Sequence, residues 1–518
     1  MSVIAKTVAS LPLHQPATMS GRTPMTSRLI PPAPATRSFH YLRSAAHRCF
    51  PAMAGIIALG LGVALIGASP SRSAETDAPA ISDHPQSGPI ASGAAESTLP
   101  IVGGSPASSP PISAAGAAWQ VPVSTTGTPV EAARPVALAS TAQGVSANEI
   151  RFGIVAPFSG PAKDLGHQMQ VGIEAAFNAA NATGGVFGRK LSLVTANDGY
   201  DPAKTGDAMK QLDETQRVFG FVGNVGTPTA AVSLPYALAR RMLFYGAFTG
   251  AGLLRNDPPD RYVFNFRASY AEETYAVVRY LVKSRRLQPE QIAVFAQHDG
   301  YGDAGFQGVE KAFRSLDASG EGASVLRLDY ERNTVNVDDA ITRLRQRPKN
   351  APQIKAIVMV ATYRAAAKFI EKTADLIPGL IYTNVSFVGS TSLADELMVL
   401  GPKYASGVIV TQVVPAVDNY SSVVLDYRAA LTKSAPGEVP DYVSLEGSLS
   451  ANILIEGLKR AGPDLDTEKL VKALESIRDY DLGVGPRVTF GGDRHQALHK
   501  VWGTQIDAKG HFSSIDLE

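Results

Sequence analysis

The sequence predicts an α/β fold built on parallel sheets, and two observations carry that prediction. From Asn148 onward, short apolar strands alternate with amphipathic helical segments, the pattern of parallel layers covered by helices. Two of the strands end in Gly-rich turns that feed directly into a helix. Ligands of open α/β sheets sit beyond the carboxyl ends of the strands, where backbone N–H groups and helix N-termini point outward. At 518 residues the chain exceeds what one hydrophobic core organises, so at least two domains are expected.

In Glu149-Ile-Arg-Phe-Gly-Ile-Val-Ala-Pro-Phe-Ser-Gly-Pro161 an apolar strand stops at a Ser-Gly-Pro turn. Met169, Ile173, Ala176, Phe177 and Ala180 then recur at helical spacing and predict a helix over 167–181 with one buried face. Strands follow at Leu191–Ala196, Val218–Val222, Met242–Tyr245 and Tyr262–Phe266, with helices at Pro202–Gln216 and Thr227–Arg240. The strand end Phe219-Gly-Phe-Val-Gly-Asn-Val-Gly-Thr-Pro-Thr229 makes Thr227 the expected N-cap and Pro228 the first helical residue.

After a break at Ala268-Ser269 a second set begins. Its strands are Gln291–Ala296, Val325–Leu328, Ile354–Val360 and Val385–Val388, with helices near 303–316, 337–347 and 364–376. Long helices over 419–433 and 441–461 complete the pattern. No residue-level repeat relates the two sets, so their similarity is architectural.

Ahead of this body the composition changes. Residues 1–74 carry Lys6, Arg22, Arg28, Arg37, Arg43, Arg48 and Arg72 and no acid, and Pro51 to Ala68 is an uncharged apolar run of 18 residues. Basic residues before such a run are the layout of an export signal, with Ser71-Arg-Ser-Ala74 offering small residues for cleavage. At about 1.5 Å per residue the run would also span roughly 27 Å, enough for a retained membrane anchor. The basic region is long for a signal, which makes Met19 or Met25 a candidate start. Cys49, the single cysteine, lies ahead of the run, so it is no lipoprotein attachment site and no intrachain disulfide can form. Ser69 to Ala147 holds 11 Pro, 7 Gly and 14 Ser among 79 residues, with seven charges and no periodicity. Such a stretch buries too little apolar surface to offset ordering, so 75–147 is expected to be a disordered tether.

Aromatic residues at 7% and apolar residues at 45% are ordinary for a soluble globular protein. Setting aside the eight bases and five acids before Asn148 leaves 40 bases against 42 acids, a balance near −2. That excludes a basic nucleic-acid-binding face. No Gly-x-Ser-x-Gly elbow, phosphate loop ending in Gly-Lys-Ser/Thr or Cys nucleophile is present in the body. His495 and His499 have i, i+4 spacing, but Asp493 is the one nearby acid and the segment reads as loop. Gly60-Leu-Gly62 sits in the apolar leader and is no dinucleotide fingerprint. No enzyme, cofactor or metal is expected.

An ordered series of segments resembles the type I periplasmic binding proteins, in particular the Leu/Ile/Val-binding branch that serves ABC importers. The series is Phe158-Ser-Gly-Pro161, Ala180-Asn-Ala-Thr-Gly-Gly-Val-Phe-Gly-Arg-Lys-Leu191, Asn197-Asp-Gly-Tyr-Asp-Pro202, Gly223-Asn-Val-Gly-Thr-Pro-Thr229, Tyr262-Val-Phe-Asn-Phe-Arg267 and Gln297-His-Asp-Gly-Tyr-Gly302. The resemblance spans Asn148 to Glu518. It implies two doubly wound parallel-sheet lobes joined by three hinge crossovers near 268, 413 and 485. Lobe 1 would take 148–268 and 414–485, and lobe 2 would take 269–413 and 486–518. A small-molecule ligand would sit between the lobes, permease subunits would be the membrane partners, and the location would be periplasmic or extracytoplasmic, with residues 51–68 as the anchor if the leader is kept. A ligand-sensing receptor of the same fold is the alternative.

The resemblance also places a ligand site. The opening turn contributes Ser159. A carboxylate contact falls on Thr227, with Val225 and Gly226 lining the turn. In Gly246-Ala-Phe-Thr-Gly250 a backbone carbonyl falls on Ala247 and a hydroxyl on Thr249, while Phe248 stands where a small residue is more usual. On the facing lobe, aromatic contacts fall on Tyr301 and Tyr363. In Gly389-Ser-Thr-Ser392, Thr391 occupies the position where amino-acid-binding members carry an acid for the ligand's ammonium. A buried ammonium without that acid would be costly, so a small carboxylate, aromatic or deaminated, or an amide is expected in place of an amino acid.

Overall fold

A computed structural model describes residues 142–316 and 324–518. The expected export signal or anchor at 1–74, Cys49 and the tether as far as residue 141 lie outside the described residues. Residues 142–147, expected at the tether's end, belong to the folded body. Gln143 donates from Nε2 to the Asp213 carboxylate at 2.7 Å and to the Val218 carbonyl at 3.0 Å, and Val145 is buried. Six residues are too few to show a period, which hid this segment in the sequence.

Five parallel strands form the first sheet: β1 (Glu149–Ala156), β2 (Lys190–Asn197), β3 (Gly220–Val222), β4 (Leu243–Tyr245) and β5 (Val263–Phe264), in the order β2-β1-β3-β4-β5. The strands connect through α1 (Lys163–Ala182), α2 (Pro202–Lys210) and α3 (Thr227–Ala239). Asp201 caps α2, accepting the Ala203 N–H at 3.1 Å, and Pro202 opens the helix at no cost in hydrogen bonds. The winding reverses between β1 and β3, and the crevice beyond such a reversal is where doubly wound sheets bind ligands.

The second sheet repeats the topology. Strands β6 (Ile292–Gln297), β7 (Leu326–Tyr330), β8 (Ala356–Val360), β9 (Ile381–Asn384) and β10 (Ile409–Gln412) pair in parallel as β7-β6-β8-β9-β10. Around it run α4 (Tyr270–Arg279), α5 (Gly300–Leu316), α6 (Asp338–Arg345), α7 (Tyr363–Ala374), α8 (Ser390–Leu400) and α9 (Pro402–Ala405). The chain then returns through α10 (Ser422–Ser434), α11 (Tyr442–Ala461) and α12 (Thr467–Glu475), with α10 and α11 packed on α1. A hairpin of β11 (Tyr480–Asp481) and β12 (Arg487–Val488) follows, and β13 (Trp502–Ile506) and β14 (Phe512–Ile515) extend the second sheet antiparallel from β10.

The fold is therefore two doubly wound lobes with three connecting passages, at 265–269, 413–421 and 489–501. The first and third run side by side: Asn265 donates to the His495 carbonyl at 2.7 Å and accepts from the Ala497 N–H at 2.8 Å. The His495 ring stacks on Phe264 at 3.9 Å, and its Nδ1 lies 2.8 Å from the Val263 carbonyl. This histidine braces the hinge.

One predicted strand is displaced. Ser386–Val388 form a short 3-10 turn, and the strand is Ile381–Asn384 just before it. The Asn384 side chain ends the strand by accepting the Val385 N–H at 2.9 Å and donating to the Ala361 carbonyl at 3.2 Å. Polar Thr383 and Asn384 masked a buried strand, while Val385, Phe387 and Val388 imitated one.

Candidate functional site

The first lobe offers its polar groups where β3 and β4 end. Beyond β3 the chain turns at Gly226, whose φ of 107° is open to glycine and where any side chain would run into the Tyr200 ring. That left-handed residue caps α3, so Thr227 and Pro228 each lie one place further into the helix than expected. Gly226 donates to the Phe248 carbonyl at 3.2 Å and Phe248 to the Asn224 carbonyl at 2.8 Å. This ladder brings the two turns together. The Thr227 and Thr249 hydroxyls meet at 2.6 Å, both residues fully buried at the positive end of α3. The Ala247 carbonyl accepts the Thr249 N–H at 2.8 Å, which tightens the turn.

Tyr270 stands over this pair from the first residue of α4. Its hydroxyl is buried without a hydrogen-bond partner, and burial raises its pKa, with the Arg267 charge and the Thr249 and Thr227 hydroxyls pulling it back. Tyr301, near the start of α5, packs its ring 5.3 Å from Tyr270, and its hydroxyl is also buried and unpartnered. Between these groups lies Phe387, which the sequence reading missed as a site residue. Its ring stacks on Phe248 at 5.0 Å and lies 4.7 Å from Tyr301, 6.1 Å from Tyr200 and 6.3 Å from Tyr270. Rings from both lobes thus close on one another around a residue of the second.

Behind the rings runs a buried ionic network. The Arg267 guanidinium lies 4.7 Å from the Phe248 centroid, 3.2 Å from the Glu273 carboxylate and 3.6 Å from that of Glu446, and it donates to the Ser386 hydroxyl. Burial pushes the Glu446 carboxyl up to about 7 against the pull of Arg267. The signal for Arg267 was present in the Tyr262–Arg267 segment, but its carboxylate partners lie on α4 and α11 and no local pattern joins them.

Tyr363 and Thr391 fall outside the ring cluster. They line a cavity of about 480 Å³ at the cleft mouth together with Asp164, Asp395 and Asp441. The expectation that Thr391 leaves this corner without an acid is thereby corrected: α8 begins at Ser390, so Asp395 lies one turn beyond Thr391 on the same face. Ser159 is not gathered with the others. It is exposed on the turn after β1, where its hydroxyl accepts from Asn197 Nδ2 at 2.8 Å.

Two doubly wound lobes with unpartnered polar groups buried between their strand ends define a cleft-binding protein of the type I kind. Residues 149–511 match the periplasmic binding protein family, and the chain belongs to it, on the Leu/Ile/Val-binding side. A Leu/Ile/Val-binding protein, BraC3 of Rhizobium johnstonii, is 22% identical over 66% of this chain and 88% of its own. A possible leucine/isoleucine/valine-binding protein of Rhodopirellula baltica is 36% identical, with a TM-score of 0.67 over 71% of this chain and 97% of its own. A substrate-binding periplasmic protein of Ralstonia solanacearum is 25% identical, with a TM-score of 0.63 over 71% and 100%. Membership implies an extracytoplasmic location. No helix among the described residues is long and apolar enough to cross a membrane.

Proposed function

We propose that this protein is the substrate-binding component of an ABC importer, holding a small carboxylate or amino-acid-like ligand between its lobes. The observation that carries the reading is the Thr227 and Thr249 hydroxyl pair, 2.6 Å apart and buried at the start of α3 beside the unpartnered Tyr270 hydroxyl. Only one of the two threonine protons is used within the pair. The other, the Tyr270 O–H and the helix N-terminus converge as donors, which suits a carboxylate. Val225, Gly226, Ala247 and Phe248 shape the turns, Tyr301 meets the ligand from the second lobe, and Tyr363 and Thr391 border its outer end. Ser159 would join them by movement of its exposed turn.

Lobe 1 would be 148–268 with 414–488, which keeps the β11–β12 hairpin whole, and lobe 2 269–413 with 489–518, closing about the hinge. The closed form would be read by permease subunits in the membrane, with no nucleic acid and no cofactor involved. The names of the Rhizobium and Rhodopirellula relatives support a ligand of the branched-chain amino-acid type or near it. Thermal denaturation of the purified chain against small carboxylates and amino acids tests the reading. At a hundredfold excess over its dissociation constant the ligand adds about 2.7 kcal/mol. A broad panel that leaves the melting temperature unmoved contradicts it.

A further inference from the structure

Beyond β2 the first lobe makes a tight turn, Asn197-Asp-Gly-Tyr-Asp201, in which Gly199 and Tyr200 are both left-handed, with φ of 61° and 59°. A tyrosine keeps that backbone only where its surroundings hold it there. The hold is local. The Asp198 carboxylate accepts the Tyr200 N–H at 2.9 Å, and Asn197 Oδ1 accepts the N–H groups of Gly199 at 3.0 Å and of Phe158 at 2.9 Å. The turn is thus fixed to its own lobe, with two carbonyls and the Tyr200 side chain left to meet something else.

The second lobe meets all three. On the loop after β7, Asn333 Nδ2 donates to the Gly199 carbonyl at 3.0 Å and to the Tyr200 carbonyl at 3.3 Å. At the end of β6, Gln297 Nε2 donates to the Tyr200 hydroxyl at 3.1 Å, and Tyr200 is wholly buried. These donors are braced from behind: the Tyr330 hydroxyl donates to Gln297 Oε1 at 3.0 Å, and the Asp299 carboxylate accepts from Gln297 Nε2 at 2.8 Å and from Arg332 at 2.9 Å. Asp299 also accepts the Tyr301 N–H at 3.0 Å, which joins the cluster to the start of α5. Neither the 197–201 turn nor the 331–334 loop belongs to a passage between the lobes, so these bonds part when the lobes separate. Every donor and acceptor is the protein's own.

We propose that Tyr200, Gln297 and Asn333 form an interlobe latch that favours the closed form whatever solute is bound. The inference rests on the interlobe reading above and adds to it a control of affinity. A latched chain starts partly closed, so less of a solute's binding energy goes into bringing the lobes together, and the solute leaves only after the latch parts. Tyr200 is also a positioning residue, because its ring backs the Gly226 turn that carries Thr227.

Interlobe distances between spin labels test it on the full chain, freed of solute by unfolding and refolding, with Cys49→Ser and labelled cysteines at the exposed Lys210→Cys on α2 and Arg314→Cys on α5. The chain with an intact latch gives a dominant short distance. Asn333→Asp keeps the side-chain shape and tolerates the left-handed backbone but has no N–H to donate. It shifts the closed-to-open ratio roughly tenfold towards a longer distance, the effect of one or two hydrogen bonds. Tyr200→Phe removes the acceptor of Gln297 and shifts the ratio the same way by less, while the exposed Glu290→Gln leaves it unchanged. Because no solute is present, the result stands or falls apart from the carboxylate reading, which the thermal panel tests. Equal distance distributions in the intact-latch chain, Asn333→Asp and Tyr200→Phe overturn the latch, and so does a single long distance in the intact-latch chain.

Discussion

Arg267 and Glu273 form an ion pair at 3.2 Å with both side chains wholly withdrawn from solvent. Arg267 lies on the first passage between the lobes and Glu273 in α4 on the second lobe. A buried pair regains its desolvation cost only when the remaining lone pairs and protons are also satisfied; those of Glu273 are, while Nε and Nη1 of Arg267 have no hydrogen-bond partner. The Ser386 N–H donates to Glu273 at 2.8 Å, the Ser386 hydroxyl at 3.0 Å, and the Thr411 hydroxyl adds a further bond. With Glu446 reaching Arg267 from α11, the network ties both lobes to the hinge.

Removing Glu273 leaves the buried Arg267 charge facing Glu446 alone, at 3.6 Å. Glu273→Ala is expected to lower stability by about 3–5 kcal/mol. Urea denaturation followed by circular dichroism measures it; a loss under about 1 kcal/mol would mean that the pair contributes little to holding the lobes.

Phe387 carries the aromatic contacts between the lobes, so its truncation should leave a cavity among Phe248, Tyr270 and Tyr301. Phe387→Ala is expected to cost about 3–5 kcal/mol, and Phe387→Leu less. Equal stability of the two variants would show that the cluster collapses to fill the space.

How far the site was legible follows from where its parts lie in the chain. Thr227 and Thr249 were singled out by the family resemblance, and each follows a strand at a Gly-rich turn, a local signal of close backbone approach. Phe387 was read as a strand residue, since a run of four with alternating apolar positions has the same look whether it pairs or turns. Asp395 carries no motif of its own, and only a helix starting at Ser390 brings it back beside Thr391. The strands β6 and β8 announced themselves as near-continuous apolar runs because parallel strands are covered on both faces. The hinge was placed through the family resemblance alone: Asn265 meets His495, and Arg267 meets Glu446, across gaps that no periodicity spans.

Asp198 at the end of β2 makes stability depend on pH. Its side chain is buried, which pushes its pKa up to about 6 from an ordinary 3.8, although the Tyr200 N–H and the Thr205 hydroxyl donate to it. The folded state holds this proton longer than the unfolded chain, so its stabilisation is complete below about pH 4 and is lost as pH rises through about 6, by roughly 3 kcal/mol. Asp198→Asn should flatten the stability profile between pH 4 and 6.5; an unchanged slope would assign the dependence to other groups.

Gly389 turns into α8 with φ at 79°, and a Cβ there would lie 2.6 Å from Leu165 Cδ2 of the facing lobe. Gly389→Ala is expected to cost about 1–2 kcal/mol through the left-handed backbone alone and to weaken ligand binding further by holding the lobes apart. Calorimetry beside thermal denaturation separates the two; a variant that loses stability and keeps full affinity would place Leu165 outside the closure.

The central claim is that the Thr227 and Thr249 pair holds the acidic end of a small solute between the lobes. Mass spectrometry of the small molecules released on denaturing the freshly purified protein tests it most directly. A carboxylate-bearing metabolite is expected in near-stoichiometric amount from the unaltered chain and is expected to be lost from the Thr227→Val/Thr249→Val double variant, which keeps the side-chain shape. Release of the same metabolite in equal amount from both proteins would contradict the claim.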